Sequence, residues 1–272
     1  MYTAFNLKIK LSDLPNIETY IGIGKQQKRK LSDVVKKDLD NFILSDETID
    51  GNKLSQFWFK TIDSDIFISH SHNDEDLAYA LAGWLKKEFD LEVFLDEVVW
   101  GSADALIKKL DKRYSYQEET KTYNYDMRNL TTSHVHAMLS TAIQSVMNNS
   151  ETIFFLNTDE SFPAISDVLK ENNNFTLSPW IYQEVQNAKL LRPINWSIYR
   201  KNKSLSHSIF ESSSNYLKIA YKTPISDFTV IDSSTLSEWQ EKKEKLTSSP
   251  YKSLFYTHPL DLLYDIVFER KM

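Results

Sequence analysis

Short apolar segments that alternate with helical patterns constrain the fold of this chain more than any other feature of its sequence. Three of them read as buried strands, at DIFIS (65–69), LEVFLD (91–96) and ETIFFLN (151–157). A helical pattern with apolar residues at 3.6-residue spacing follows the first segment, and another precedes the third. Apolar strands that alternate with helices are typical of a parallel sheet covered on both faces. We therefore predict an α/β fold with a doubly wound parallel sheet.

Residues 1–60 read as a small α/β extension that precedes a domain covering residues 61–272. In the extension, FNLKIKL (5–11) alternates like a short strand. KQQKRKLSDVVKKDLDNFIL (25–44) predicts an amphipathic helix, and GNKLSQFWFKT (51–61) predicts a second, shorter one.

Within the larger domain, YLKIAY (216–221) predicts a fourth strand and PLDLLYDIVFERK (259–271) predicts a closing helix. EVVWGSADALIKKLD (97–111) reads as a loop that runs into a helix at about Ser102. A polar, Tyr-rich insertion at about 111–131 lies outside this minimal plan. Long insertions in compact domains often serve as lids or binding elements.

Composition narrows the function classes. The net charge is −6. This disfavours duplex nucleic acid as the main partner, because proteins usually bind it through a basic surface. The chain has no cysteine, which excludes disulfides, thiolate metal ligands and cysteine nucleophiles and fits a reducing cytoplasm. We expect no signal peptide and no membrane span, since apolar residues nowhere run together for about 18 positions.

Polar residues cluster where the predicted strands end, at Ser69–His70, Asp96 and Asn157–Thr158. Ligands of doubly wound sheets bind outside these carboxyl ends. SPWIYQEV (178–185) then predicts a helix with Ser178 as its cap. Trp180 and Glu184 fall on one face of that helix because residues four apart stack along it.

Together these motifs resemble those of bacterial Toll/interleukin receptor (TIR) domains. The similar features are the strand that ends in F-I-S-H, the acidic helix start after it, and F-L-D before a segment containing Gly. LSTAIQSVMNNSETIFFLNT (139–158) is similar to the family's third helix and strand, and SPWIYQEV to its S-x-W-x-x-x-E signature. The resemblance covers roughly residues 63–200.

The resemblance implies a flavodoxin-like TIR fold and cleavage of NAD+ at its nicotinamide–ribose bond. Glu184 then corresponds to the catalytic glutamate, and Trp180 to the aromatic residue one turn before it. It further implies self-association through TIR–TIR contacts and a nucleotide product that signals to a downstream effector in bacterial antiphage defence. The segment EVVWGSAD departs from the family because it lacks the usual P-G pair.

The chemistry of NAD+ is compatible with these residues. Its nicotinamide is already cationic and leaves without a general acid, unlike an ordinary glycoside, where two carboxylates share the work. One carboxylate suffices to oppose the developing oxocarbenium charge, so NAD+ enters as substrate and neither metal nor cofactor is expected. We expect further NAD+ contacts from five positions, with an anion at the predicted helix start of Ser102: Ser69, His70, Asp96, Trp100 and Ser102.

Simpler interpretations compete with these. Glu184 is also typical of a solvated helix position, Trp180 of a core aromatic, and Trp100 of a contact between protomers. His70 and His72 suggest a metal pair, but residues at i and i+2 of a strand end diverge and no cysteine supports them. His134 and His136 are expected to cap or pack. The acidic residues at 74–76 are expected to interact favourably with the dipole of a helix.

Two function classes compete with the NAD+ enzyme. One is a non-catalytic interaction module that signals through TIR–TIR contacts, with the 95–103 loop as its docking surface. The other is a hydrolase or transferase that acts on another nucleoside. The W-x-x-x-E pair favours an enzyme, because an adaptor has no need of that carboxylate.

Overall fold

A computed structural model describes residues 2–32, 39–44, 48–59, 63–163, 175–193, 221–248 and 258–269, without the side chains of 29–32, 98–100 and 269. The strands of this part are β1 (Thr3–Lys8), β2 (Ile66–Ser69), β3 (Val93–Leu95), β4 (Tyr116–Gln117), β5 (Thr122–Tyr123), β6 (Thr152–Leu156), β7 (Phe175–Thr176), β8 (Tyr221–Lys222) and β9 (Thr229–Asp232). The α-helices are α1 (Ile17–Ser32), α2 (Gly51–Trp58), α3 (Glu75–Phe89), α4 (Glu97–Leu110), α5 (Tyr125–Asn149), α6 (Pro179–Leu190), α7 (Ser233–Ser248) and α8 (Pro259–Glu269).

The central sheet is parallel and has the strand order β3-β2-β6-β1-β9. Helices flank it, which confirms the predicted α/β class. The order is compatible with a flavodoxin-like sheet, whose strands run 2-1-3-4-5. In that scheme β2, β3 and β6 are the first three strands, and β1 and β9 take the fourth and fifth positions.

The fourth position is filled from the N-terminal segment. β1 pairs with β6 on one side and with β9 on the other, so the expected division at residue 60 does not separate this strand from the sheet. The alternation of FNLKIKL suggested a half-exposed strand, yet Asn6 is buried with the apolar residues around it. Its amide is satisfied there, because Nδ2 donates to the carbonyl of Ile225 and Oδ1 accepts from Asn157.

The first helix differs from its prediction. α1 begins at Ile17 and packs closely on α3, whereas the sequence suggested a helix over 25–44. Two glycines permit the close packing: a Cβ at Gly24 would overlap the carbonyl of Tyr79, and one at Gly83 would overlap that of Tyr20. Part of the predicted helix, 33–38, lies outside the described residues, and 39–42 form a 3-10 helix.

The predicted loop before Ser102 is wrong, because α4 begins directly after β3. Asp96 caps this helix, with its Oδ1 accepting a hydrogen bond from the backbone N of Glu97 at 2.8 Å. The Tyr-rich insertion contains the β4–β5 hairpin and the first turns of α5. α5 begins at Tyr125 because Asn124 caps it through the backbone N of Met127.

The remaining strand and helix predictions have mixed outcomes. The strands β2, β3 and β6 and the helices α2, α3, α6 and α8 are confirmed. The predicted strand at 216–221 lies outside the described residues except for Tyr221, which opens β8. β9 and α7 were not predicted. Among the helices described, none is both long enough and apolar enough to cross a membrane.

Candidate functional site

Four predicted site residues meet at the carboxyl ends of β2 and β3. The Ser69 hydroxyl donates to Glu184 Oε2 at 2.6 Å. The next residue, His70, donates its backbone N–H to Asp96 Oδ2 at 3.1 Å, and its ring Nδ1 lies 2.6 Å from Asp96 Oδ1. The chain thus joins two carboxyl groups through consecutive residues of one strand end.

Helix α6 brings Glu184 to this place. Ser178 caps the helix by accepting from the backbone N of Ile181 at 3.2 Å, and Pro179 occupies the first helical position, where a missing N–H costs nothing. Glu184 shares the buried stripe of the helix with Ile181, Val185 and Ala188. The glutamate therefore lies on the face that packs into the protein, and the simpler interpretation of a solvated helix position is wrong.

Glu184 is 0% exposed, and its environment favours the protonated form. Burial raises the pKa of Glu184 well above its ordinary value, and the neighbouring Asp96 carboxyl raises it further. The hydrogen bond from Ser69 acts in the opposite direction but is outweighed. Its second oxygen, Oε1, makes no well-formed hydrogen bond with any described residue.

His70 provides the positive charge of the cluster. Burial alone would lower the pKa of His70, but the charge and hydrogen bond of Asp96 raise it above its ordinary value. His70 and Asp96 therefore form a buried ion pair, with side chains 1% and 4% exposed. Neither ring nitrogen of His70 makes a well-formed hydrogen bond with a described residue, although Nδ1 lies close to Asp96.

A second charged layer lies behind this ion pair and was not predicted from the sequence. Glu97 accepts from the Tyr79 hydroxyl at 2.7 Å and pairs with Lys28 of α1. Burial would raise the pKa of Glu97, but these two donors lower it below its ordinary value. The adjacent acids Asp96 and Glu97 were the available signal, since two carboxyls after a buried strand need partners.

Asp74 joins the same edge of the sheet to the loop after β6. It is buried, and its Oδ2 accepts from the hydroxyls of Thr158 at 2.6 Å and Ser161 at 2.9 Å. Ser161 in turn accepts from the backbone N of Ser71 at 3.0 Å. Asp74 makes no side-chain capping bond to α3, so its role differs from the helix-dipole role expected for residues 74–76.

Trp180 is half-buried one turn before Glu184. Its indole packs edge-to-face on His136 of α5, with ring centroids 5.1 Å apart, and it also lies against the apolar core. Burial lowers the pKa of His136. His136 packs as expected, although it lies in the fourth turn of α5 and not at a helix start.

The two remaining predicted contacts lie on α4. Ser102 is buried in the second turn of the helix, so the expected anion site at a helix start is wrong for this residue. The side chain of Trp100 lies outside the described residues. Of the predicted residues, the structure therefore groups Ser69, His70, Asp96 and Glu184.

In the described part of the chain, no three histidine or acidic residues are arranged so as to hold a metal ion. Comparisons with protein-family models, with curated proteins and with solved structures each return no match.

Proposed function

We propose that this protein is a TIR-like NAD+ glycohydrolase or cyclase that uses Glu184 as its catalytic carboxylate. The observation that carries the proposal is a buried carboxyl group at the switch point of the sheet. β3 lies on one side of β2 and β6 on the other, and ligands of such sheets bind in the crevice where the order reverses. The Ser69–Glu184 pair stands at that end of β2.

The proposed reaction breaks the bond between ribose C1′ and the nicotinamide nitrogen. The electron pair leaves with nicotinamide, which becomes neutral, while positive charge develops on the ribose. Ionised Glu184 opposes that charge, and Ser69 orients the carboxylate through its hydroxyl. Water then adds to C1′ and loses a proton to solvent, which gives ADP-ribose, or a nitrogen of the adenine ring adds to C1′ and gives a cyclic product.

This mechanism requires a change from the arrangement described. Glu184 is inaccessible and its protonated form is favoured, whereas catalysis needs an accessible carboxylate. We propose that self-association of protomers through TIR–TIR contacts uncovers the site. The product would act in the cytoplasm as a nucleotide signal in antiphage defence, sensed by a downstream effector.

A second candidate is a non-catalytic TIR interaction module. The complete burial of Glu184 within an apolar stripe favours it, because a neutral buried acid can serve packing alone. In that case, the residues around Ser69 hold the end of the sheet together and contact no substrate.

The test is a chromatogram of NAD+ and its products after incubation with the protein, at several protein concentrations. We expect nicotinamide release by the parent protein and a loss of about 10²–10³-fold in rate for Glu184→Gln. Glu241→Gln, an exposed helix glutamate on α7, is the matched control and should keep the parental rate. Equal rates for the parent and Glu184→Gln would contradict the assignment, and no turnover at any concentration would favour the interaction module.

A further inference from the structure

We propose that Asp96 is the positioning residue that sets the protonation of Glu184, so that the two carboxyl groups share one proton in the closed site. The effect of this shared proton on catalysis rests on the proposed function. The shared proton itself is a property of the free protein and can be measured without NAD+.

The geometry brings the two carboxyls together without giving both a positive partner. Ser69 and His70 are consecutive, and each binds one of the carboxyls. Both oxygens of Asp96 accept backbone hydrogen bonds, Oδ2 from His70 and Oδ1 from Glu97, and the His70 ring lies 2.6 Å from Oδ1. Among the described residues, Glu184 receives only the neutral hydroxyl of Ser69, so a proton is the remaining means of removing its charge.

The charged groups around the pair lead to the same result. His70 and Asp96 lie at the ends of β2 and β3. Asp74 and Glu97 lie at the starts of α3 and α4, and Lys28 lies on α1. Lys28 is matched with Glu97. Asp74 has two hydroxyl donors. On α6 itself, Lys189 is exposed and paired with Asp227. Within the described residues, no cation is therefore left for Glu184.

A protonated Glu184 makes the shared arrangement consistent in hydrogen bonding. A neutral carboxyl group has one O–H to donate, and the Asp96 carboxylate beside it is the acceptor in the cluster. Two adjacent carboxyl groups that cannot both ionise titrate as a pair, with one midpoint displaced upward. The cluster then carries one negative charge, balanced by His70.

The shared proton couples to the substrate charge. A cationic nicotinamide riboside that reaches Glu184 stabilises its carboxylate, so the proton leaves to solvent as NAD+ binds. The population of ionised Glu184 rises with pH, as for any carboxylic acid, and its raised pKa moves that rise to higher pH than in an exposed glutamate. We therefore expect kcat/KM for NAD+ to rise about tenfold per pH unit below the midpoint of Glu184 and to level off above it.

The test begins on the free protein. The side-chain carboxyl carbon of Glu184 is followed by NMR as a function of pH, and it is assigned by its loss in Glu184→Gln. Asp96→Asn should move the midpoint of Glu184 to lower pH by about 1–3 units, because the neighbouring charge is removed. Asp74→Asn removes a buried carboxyl of the same sheet edge that binds other partners, and it should move the midpoint by less than about one unit.

A variant that should move the midpoint of Glu184 in the opposite direction separates this effect from a disturbed fold. His70→Gln removes the positive partner of Asp96, so the midpoint of Glu184 should move to higher pH. An unchanged midpoint in Asp96→Asn, or displacement in the same direction by both variants, would overturn the inference. If Asp96→Asn does not fold, an unchanged or lower midpoint in His70→Gln would do so.

The activity measurement distinguishes the two proposals. The pH profile of kcat/KM should move with the NMR midpoint in each variant. Opposite midpoint displacements in a protein that never cleaves NAD+ would support the shared proton and refute the proposed enzyme. Cleavage that depends on Glu184, with a profile unmoved by Asp96→Asn, would support the enzyme and refute the inference.

Discussion

Two buried carboxyl groups at the same edge of the sheet have opposite surroundings. Asp74 accepts hydrogen bonds from Thr158 and Ser161 and thereby ties α3 to the loop after β6. Glu184 is more deeply buried, yet the part of the chain that the structure describes gives it a single hydrogen bond, from Ser69, and it lies beside the carboxyl of Asp96.

The difference separates a structural acid from a reactive one. A buried acceptor with all its donors lowers the energy of the fold, whereas a buried group with a missing partner raises it. Perturbed carboxyls that lie in the crevice of a sheet are frequent at functional sites. Asp74 fits the first description and Glu184 the second, and four substitutions test that contrast.

Asp74→Ala should have the largest effect on stability. The change leaves the hydroxyls of Thr158 and Ser161 without their acceptor, and each buried unsatisfied group costs about 1–3 kcal/mol. We expect a loss of about 3 kcal/mol in the free energy of unfolding, measured by urea titration at pH 7. A loss below about 1 kcal/mol would mean that these bonds do not hold the loop.

Glu184→Gln should change stability in the opposite direction at neutral pH. The pKa of Glu184 is raised in the folded state, so the native protein binds more protons than the unfolded chain above the ordinary value of 4.5. Its contribution to stability is full below that pH and is lost as pH rises through the folded pKa. Glutamine does not titrate, so the variant should gain about 1–2 kcal/mol over the parent at pH 8.

The pH series is the control for that substitution. The gain of Glu184→Gln should shrink as the pH falls to 4.5 and below, because the parent side chain then becomes neutral in the unfolded chain as well as in the folded protein. A gain that is equal at pH 5 and pH 8, or a loss that grows with pH, would show that Glu184 is ionised in the folded protein.

Ser69→Ala should have a smaller effect. It removes the Ser69 hydroxyl that donates to Glu184, which costs about 1 kcal/mol in the free energy of unfolding. Because that bond lowers the pKa of Glu184, its removal should also move the pH–activity profile to higher pH. Ser145→Ala, a half-buried serine on α5 that donates to a helix carbonyl, is the matched control. Equal stability and equal profiles in the two variants would contradict the contact.

His136→Phe should have the smallest effect on stability of the four substitutions. The residue lies at the edge of the cluster. Phenylalanine keeps an edge-to-face contact with Trp180 and removes the titration of the ring. The pKa of His136 is lowered by burial, so its contribution to stability is present above its ordinary value of 6.5 and is lost as pH falls. We expect a gain of about 0.5 kcal/mol or less at pH 5.5, reduced by solvent screening, that disappears by pH 8 in thermal unfolding.

The site could be predicted in part from the sequence, because the ends of strands are easy to locate. Ser69, His70 and Asp96 each follow a strongly apolar strand, and parallel strands place such residues at one edge. Ser178 and Pro179 marked the start of α6 for a comparable reason, since capping is local chemistry. These signals needed no knowledge of distant contacts.

Other features depended on contacts that a local pattern does not contain. Asn6 reads as the polar side of a half-exposed strand until its two distant partners are known. The burial of Glu184 likewise was not readable from the local pattern, because a glutamate on a helix is also typical of a solvated position. The start of α4 was missed because Asp96 both ends a strand and caps a helix, and Gly101 suggested a loop where the helix continues.

The position of β1 has a consequence for the order of folding. Its residue Thr3 pairs with Thr152, and Phe5 pairs with Thr229, so the fourth strand leaves the ribosome long before either neighbour exists. Contacts this distant along the chain slow folding, because the entropy of closing a large loop is lost before the strand pairing can stabilise the chain. During synthesis both edges of β1 await partners, and the nascent sheet is completed only once β9 has emerged.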